Sequence, residues 1–139
     1  MRKIQKINAR NSLKQVKIPR FRLKIHFLHA MPKTGPDTKV YRMILLHGWP
    51  GSIREFYGIL PLLTTPTKDN IVFEVIVPSI PGYGWSEAAS KKGLTTAKIA
   101  VIFRNLMTNM GFDKFYIQGI SYCIFLLIKL FIFFFFTSR

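Results

Sequence analysis

Three short apolar runs constrain this chain more than any other feature. Residues 40–46 (VYRMILL), 72–77 (VFEVIV) and 115–117 (FYI) each run into turn-forming residues. These are His47-Gly48-Trp49-Pro50-Gly51, Pro78-Ser79-Ile80-Pro81-Gly82-Tyr83-Gly84, and Gln118-Gly119. Runs of this length, bounded by glycine and proline, read as buried strands, and the first predicts a central strand covered on both faces. Helical spacing fills the gaps between them. Ser52 followed by Glu55 is the capping-box pattern, and Ile53, Phe56, Tyr57 and Leu60 then share one face up to a bounding Pro61. Thr95 or Thr96 can cap a second helix, with Ile99, Ile102, Phe103, Leu106 and Met110 on its apolar face and Gly111 to end it. Strand, helix, strand, helix, strand with short links predicts an α/β fold: a parallel sheet with right-handed crossovers.

Upstream, Phe21, Leu23, Ile25 and Phe27 alternate with Arg22, Lys24 and His26. That alternation predicts a half-buried strand with the polar set facing water. Residues 1–20 mix Lys, Arg, Asn and Gln with scattered Ile and Val and have no clean period. They predict a poorly ordered arm or a marginal helix. The organisation expected is therefore a basic arm at 1–20, an α/β region at 21–119 and a distinct tail at 120–139.

Charge is concentrated at the start. The chain carries 21 Lys and Arg against 6 acids, a net charge of +15 over 139 residues. Twelve of those cations lie in residues 1–42, where the first acid is Asp37. Such a leader is either a solvated arm or a surface for an anionic partner, nucleic acid or membrane. No recognition motif accompanies it, so nucleic acid is not the expected partner. With 49% hydrophobic residues the chain is not a disordered tail. One cysteine excludes a disulfide framework, and three histidines with six acids leave little for a metal centre.

The tail is foreign to the rest. Residues 120–136 hold thirteen Leu, Ile and Phe, interrupted by the single charge of Lys129. Their length is near the lower limit for a membrane-spanning helix, about 17 residues. Insertion in a bilayer and an aggregation-prone terminus are both open readings. Phe, Ile, Leu and Lys codons are A/T-rich, so the expectation is a chain truncated just after Gly119 by an intron, a stop or a gene-model error.

The three loop blocks, in their order and spacing, resemble the microsomal-type epoxide hydrolases, including the insect juvenile hormone epoxide hydrolases, of the α/β-hydrolase superfamily. The resemblance covers roughly residues 21–119. It implies the N-terminal part of an α/β-hydrolase sheet, ending where the nucleophile turn belongs. It also implies a chemistry. An aspartate on that turn attacks an epoxide carbon to form an ester, and a histidine oriented by an acid activates water to hydrolyse it. Two lid tyrosines donate to the epoxide oxygen. Backbone amides hold the oxyanion, each worth about 2.7–4 kcal/mol. The residues matching the oxyanion-hole loop are His47, Gly48, Trp49 and Pro50, with the Trp49 amide as one donor. His47 would support the loop rather than act as base. Trp49, Tyr83 and Trp85 are candidates for the substrate pocket.

The chain departs from this pattern at the decisive point. Where the resemblance calls for Gly-Asp-Trp-Gly after Gln118-Gly119, it reads Ile120-Ser121-Tyr122-Cys123. Ser121 occupies the nucleophile's position, and no histidine or acid follows it in this sequence. A serine hydrolase of this superfamily needs both after the serine, so Ser121 is read as incidental. The expectation is thus an inactive form of an epoxide hydrolase. The substrates would be apolar epoxides, xenobiotic or juvenile-hormone-like, hydrolysed to vicinal diols. The resemblance further implies no metal or organic cofactor and a place at the endoplasmic reticulum membrane. The alternative is a non-enzymatic fragment held at a membrane by its arm or tail.

Overall fold

In the computed structural model, which describes residues 11–18, 23–90 and 92–119, five strands form one sheet. They are β1 (Asn11–Ile18), β2 (Leu23–Ala30), β3 (Lys39–Leu46), β4 (Ile71–Pro78) and β5 (Tyr116–Gly119). Their spatial order is β1-β2-β4-β3-β5. The three apolar runs are the parallel strands: β3 pairs parallel with β4 on one side and β5 on the other. β2 is antiparallel to both β1 and β4, which makes the sheet mixed.

One segment is corrected outright. Residues 11–18 are neither arm nor helix but a strand, paired residue for residue with β2. Its own pattern is weak because Lys14 interrupts the face on which Val16 and Ile18 pack. The neighbouring strand supplies the ladder that local periodicity does not announce. Residues 1–10 lie outside the described residues.

Alternation on β2 is also only half right. Lys24 is exposed as expected, but His26 is buried. The loop leaving β4 folds back over that position, so the outward face of β2 is not solvent there. β3 is likewise buried only from Ile44 onward, with Tyr41 exposed. The elements that cover its face are short and reach only its carboxyl half.

Those covering elements are a 3-10 turn at Ile53–Phe56 and a single helical turn, α1 (Leu60–Leu63). Ser52 and Glu55 form the capping box as the spacing predicts. Pro61 opens α1 instead of ending the first helix, in the first-turn position where its missing N–H costs nothing. Ile53, Phe56 and Leu60 pack there against Leu28, Ala30, Leu45, Val75 and Val77. The opposite face is covered by α2 (Thr96–Asn109), capped by Thr95. Its buried stripe is Ala100, Ile102, Phe103, Leu106 and Met107, set on Ile25, Phe27, Ile44, Leu46 and Ile76. Ile99 and Met110 pack at the rim of this cluster, and Gly111 leaves the helix at φ 80°.

A polar row crosses four strands beneath Phe112, toward the amino ends of the parallel strands. Lys14 Nζ donates to His29 Nδ1 at 3.3 Å, which leaves the His29 Nε2–H to donate to Glu74 at 2.8 Å. Arg42 closes the row 3.8 Å from Glu74, with its guanidinium over the Phe112 ring. The other end of the sheet, at the strand carboxyl ends, is where the loops converge.

Candidate active-site rim

β3 and β5 run side by side in parallel, and Leu46 is the register partner of Gly119. The chain therefore leaves the sheet from both strands at one level. β4 lies on the far side of β3, so the path from β3 to β4 goes one way and the path from β4 to β5 crosses back over β3. A reversal of this kind opens a crevice outside the carboxyl ends of the two strands that flank it. Here those ends carry His47 and Gly119. Ser121 lies outside the described residues.

The loop after β3 is built from its own hydrogen bonds. Gly51 N–H donates to the Gly48 carbonyl at 2.9 Å, closing a turn over Trp49 and Pro50, whose peptide bond is cis. Ser52 N–H donates to Glu55 Oε1 at 2.9 Å, and Arg54 N–H to Ser52 Oγ at 3.3 Å. A Cβ on Gly51 would displace the end of the Glu55 side chain and sit 3.0 Å from the Gly48 carbonyl, so glycine leaves room for the Glu55 carboxylate to reach the Ser52 N–H. Trp49 stands 69% exposed, and its N–H has no partner among the described residues.

His47 is fully buried beneath this loop. Its Nε2 accepts the Ile80 N–H at 3.1 Å, which puts the proton on Nδ1, 3.1 Å from the Gly48 carbonyl. The ring thus ties the loop after β3 to the loop after β4. Tyr83 meets it edge-on, with centroids 5.7 Å apart. Both ring nitrogens are engaged in holding backbone.

The loop after β4 doubles back along β2. Ser79 N–H donates to the His26 carbonyl at 2.9 Å, and Glu87 N–H to the Lys24 carbonyl at 2.9 Å. Ser86 Oγ takes the His26 N–H at 3.0 Å and gives its own proton to the Ser79 carbonyl at 2.8 Å. Ser79 Oγ lies 2.9 Å from His26 Nδ1. Burial pushes the His26 pKa below its ordinary value, because the enclosed ring is penalised for carrying charge. This Ser79–Ser86–His26 network shapes the rim, and sequence reasoning missed it. No spacing rule links a strand histidine to serines 53 and 60 residues away.

The structure therefore brings His47, Gly48 and Tyr83 together, with Trp49 and Pro50 on the turn above them. It sets Trp85 apart, over β2, with its ring 4.9 Å from His26 and its carbonyl accepting from Gln15 Nε2 at 3.2 Å. Among the described residues no three His, Cys, Asp or Glu are grouped to hold a metal ion. What the rim offers chemically is a Trp49 amide that has no partner among the described residues, on the loop that leaves β3 beside the end of β5.

The family profile described as alpha/beta hydrolase fold matches residues 41–122. The chain belongs to the α/β-hydrolase family. A second profile, epoxide hydrolase N terminus, matches residues 2–56 and so includes β1. Juvenile hormone epoxide hydrolase 2 of Ctenocephalides felis is 56% identical over 98 residues, which is 70% of this chain and 21% of that protein. Epoxide hydrolase 1 of Oryctolagus cuniculus is 48% identical over 120 residues, 76% of this chain and 26% of that protein. The crystal structure of juvenile hormone epoxide hydrolase from Bombyx mori superposes with a TM-score of 0.78 at 45% identity, covering 81% of this chain and 30% of that one. Within the α/β-hydrolases the kinship is thus with the epoxide hydrolases of juvenile hormone and microsomal type. The chain spans about a quarter of the length of these curated relatives.

Proposed function

We propose that residues 1–119 are the N-terminal part of an epoxide hydrolase domain, and that Ser121 at the nucleophile's position leaves these 139 residues catalytically silent. The reading is supported by one observation above all: Leu46 and Gly119 are register partners, so the oxyanion loop and the nucleophile turn begin side by side. The Trp49 N–H would be one donor to the oxyanion, with His47, Gly48 and Pro50 holding it in place. Tyr83 and Trp49 would border the pocket for an apolar epoxide, whose product is a vicinal diol.

Ester formation needs a carboxylate on the turn after Gly119, and ester hydrolysis needs a general base aligned with water. Ser121 offers no carboxylate for the first step. The test is diol formation from an aryl epoxide by the purified chain, measured against a no-enzyme control. No turnover is expected. Turnover above the control that disappears in Ser121→Ala would overturn the reading and make the chain a serine enzyme.

Membrane association, at the endoplasmic reticulum, is the second part of the proposal. It is supported by the +15 charge and by the apolar run at 120–136. Among the described residues no helix is long and apolar enough to cross a membrane, and that run lies outside them. Flotation with microsomes separates a membrane-held chain from one that remains in the soluble fraction.

A further inference from the structure

We propose that the outer face of the β1–β2 hairpin, with Trp85 laid over it, is a docking surface for an anionic lipid bilayer. The inference rests on the membrane part of the reading above and not on epoxide chemistry. It begins with strand register. Gln15 pairs with His26 and Lys17 with Lys24, so these four side chains share one face of the sheet. The 3-10 turn and α1 cover that face farther along β2, at Leu28 and Ala30. Over Gln15 and His26 the covering group is Trp85, and it is 61% exposed.

Trp85 is held there from both ends. Its carbonyl accepts from Gln15, and its ring rests against the His26 ring. A shallow cavity of about 410 Å³ opens between Lys14, Gln15, His26 and Trp85. Lys17 and Lys24 stand beside it, both exposed. Glu87 is engaged by Lys24 through its backbone N–H at 2.8 Å and its ammonium at 3.8 Å. The Lys14 ammonium belongs to the other face, where it bonds His29.

A large indole fixed against a polar wall and open to solvent, flanked by lysines, matches the chemistry of the head-group layer. Indole prefers that layer to either water or hydrocarbon, and lysine stems extend to anionic head groups. Single-stranded nucleic acid calls for something else: several rings in succession along a basic groove. Here one indole stands alone among the described residues of this face.

The test uses the full chain in a Trp49→Phe background, so that Trp85 is the remaining fluorophore. It is synthesised cell-free with vesicles of phosphatidylcholine alone, or of phosphatidylcholine and phosphatidylserine at roughly 7:3. Some lipid carries a doxyl quencher near the head group. The expected result is quenching of Trp85 in the anionic vesicles, falling severalfold with phosphatidylcholine alone, at high salt, or in Lys17→Glu/Lys24→Glu. Vesicle-bound chain with an unquenched Trp85 would overturn the surface assignment while leaving membrane association intact. Equal quenching in both vesicle types would also overturn it. Chain that does not float with either vesicle would remove the membrane reading as well. Quenching of Trp85 by oligo-dT without a lipid effect would assign the face to nucleic acid and overturn the proposal.

Discussion

The imidazole of His47 accepts the amide proton of Ile80 at 3.1 Å, across 33 positions of sequence. One buried ring thereby joins the loops that leave two adjacent parallel strands. It bonds the Ile80 N–H of one loop and lies 3.1 Å from the Gly48 carbonyl of the other.

Substituting His47→Ala leaves the Ile80 N–H unpaired and opens a cavity under Gly48. The expected cost is about 2–4 kcal/mol, adding a lost buried hydrogen bond to lost packing. Pulse proteolysis across a urea series reads it as a lower midpoint. An unchanged midpoint would show that the ring is not the tie between the loops.

Gly51→Ala acts on the loop by steric conflict. The new methyl group displaces the Glu55 carboxylate from the Ser52 N–H. The expected loss is about 1 kcal/mol, the worth of a helix cap. Hydrogen exchange checks it: the amides of Ser52 and Arg54 are expected to exchange faster, while those of α2 stay protected.

Ser86→Ala removes an oxygen that serves two backbone groups, the His26 N–H and the Ser79 carbonyl. Leaving buried polar groups unpaired costs about 1–3 kcal/mol. Cleavage by a nonspecific protease in residues 79–87 is expected to rise before global unfolding does. Cleavage that rises uniformly along the chain would contradict a local role for this serine.

His26 gives the fold a pH dependence with a definite sign. Its pKa in the folded chain is lowered by desolvation, whereas in the unfolded chain it is near the ordinary 6.5. The unfolded state therefore binds the proton first as pH falls. This contribution to stability is intact above about pH 6.5 and is lost as the pH drops from there toward the lowered folded value. His26→Gln keeps a polar partner for Ser79 without the titration. Its urea midpoint is expected to fall less than that of the parent between neutral and mildly acidic pH, and parallel curves would contradict the assignment.

The parallel strands and α2 were legible because each is announced locally. A strand buried on both faces is a continuous apolar run, and a helix that covers it repeats with helical spacing. β1 was not legible, since an edge strand needs only half its residues to be apolar and here Lys14 breaks even that half. Pro61 misled because the same ring that ends one helix can open the next, and only the position of its N–H decides. At the rim, His47 and its turn stood out as a block no regular element could contain. The roles of His26, Ser79 and Ser86 were hidden. They arise where a loop returns to a strand, and tertiary proximity of that kind leaves no periodic mark.

The central claim is that residues 1–119 are a competent N-terminal part of an epoxide hydrolase, and that these 139 residues are silent because Ser121 stands where the attacking carboxylate belongs. The direct test is a chimera joining this chain at Gly119 to the portion of the silkworm juvenile hormone epoxide hydrolase beyond the matching strand. The measurement is diol formation from an aryl epoxide, with thermal unfolding monitored in parallel. The account predicts a cooperative transition and turnover within roughly tenfold of the silkworm enzyme, against none for the 139-residue chain. A chimera that unfolds cooperatively yet forms no diol would contradict it.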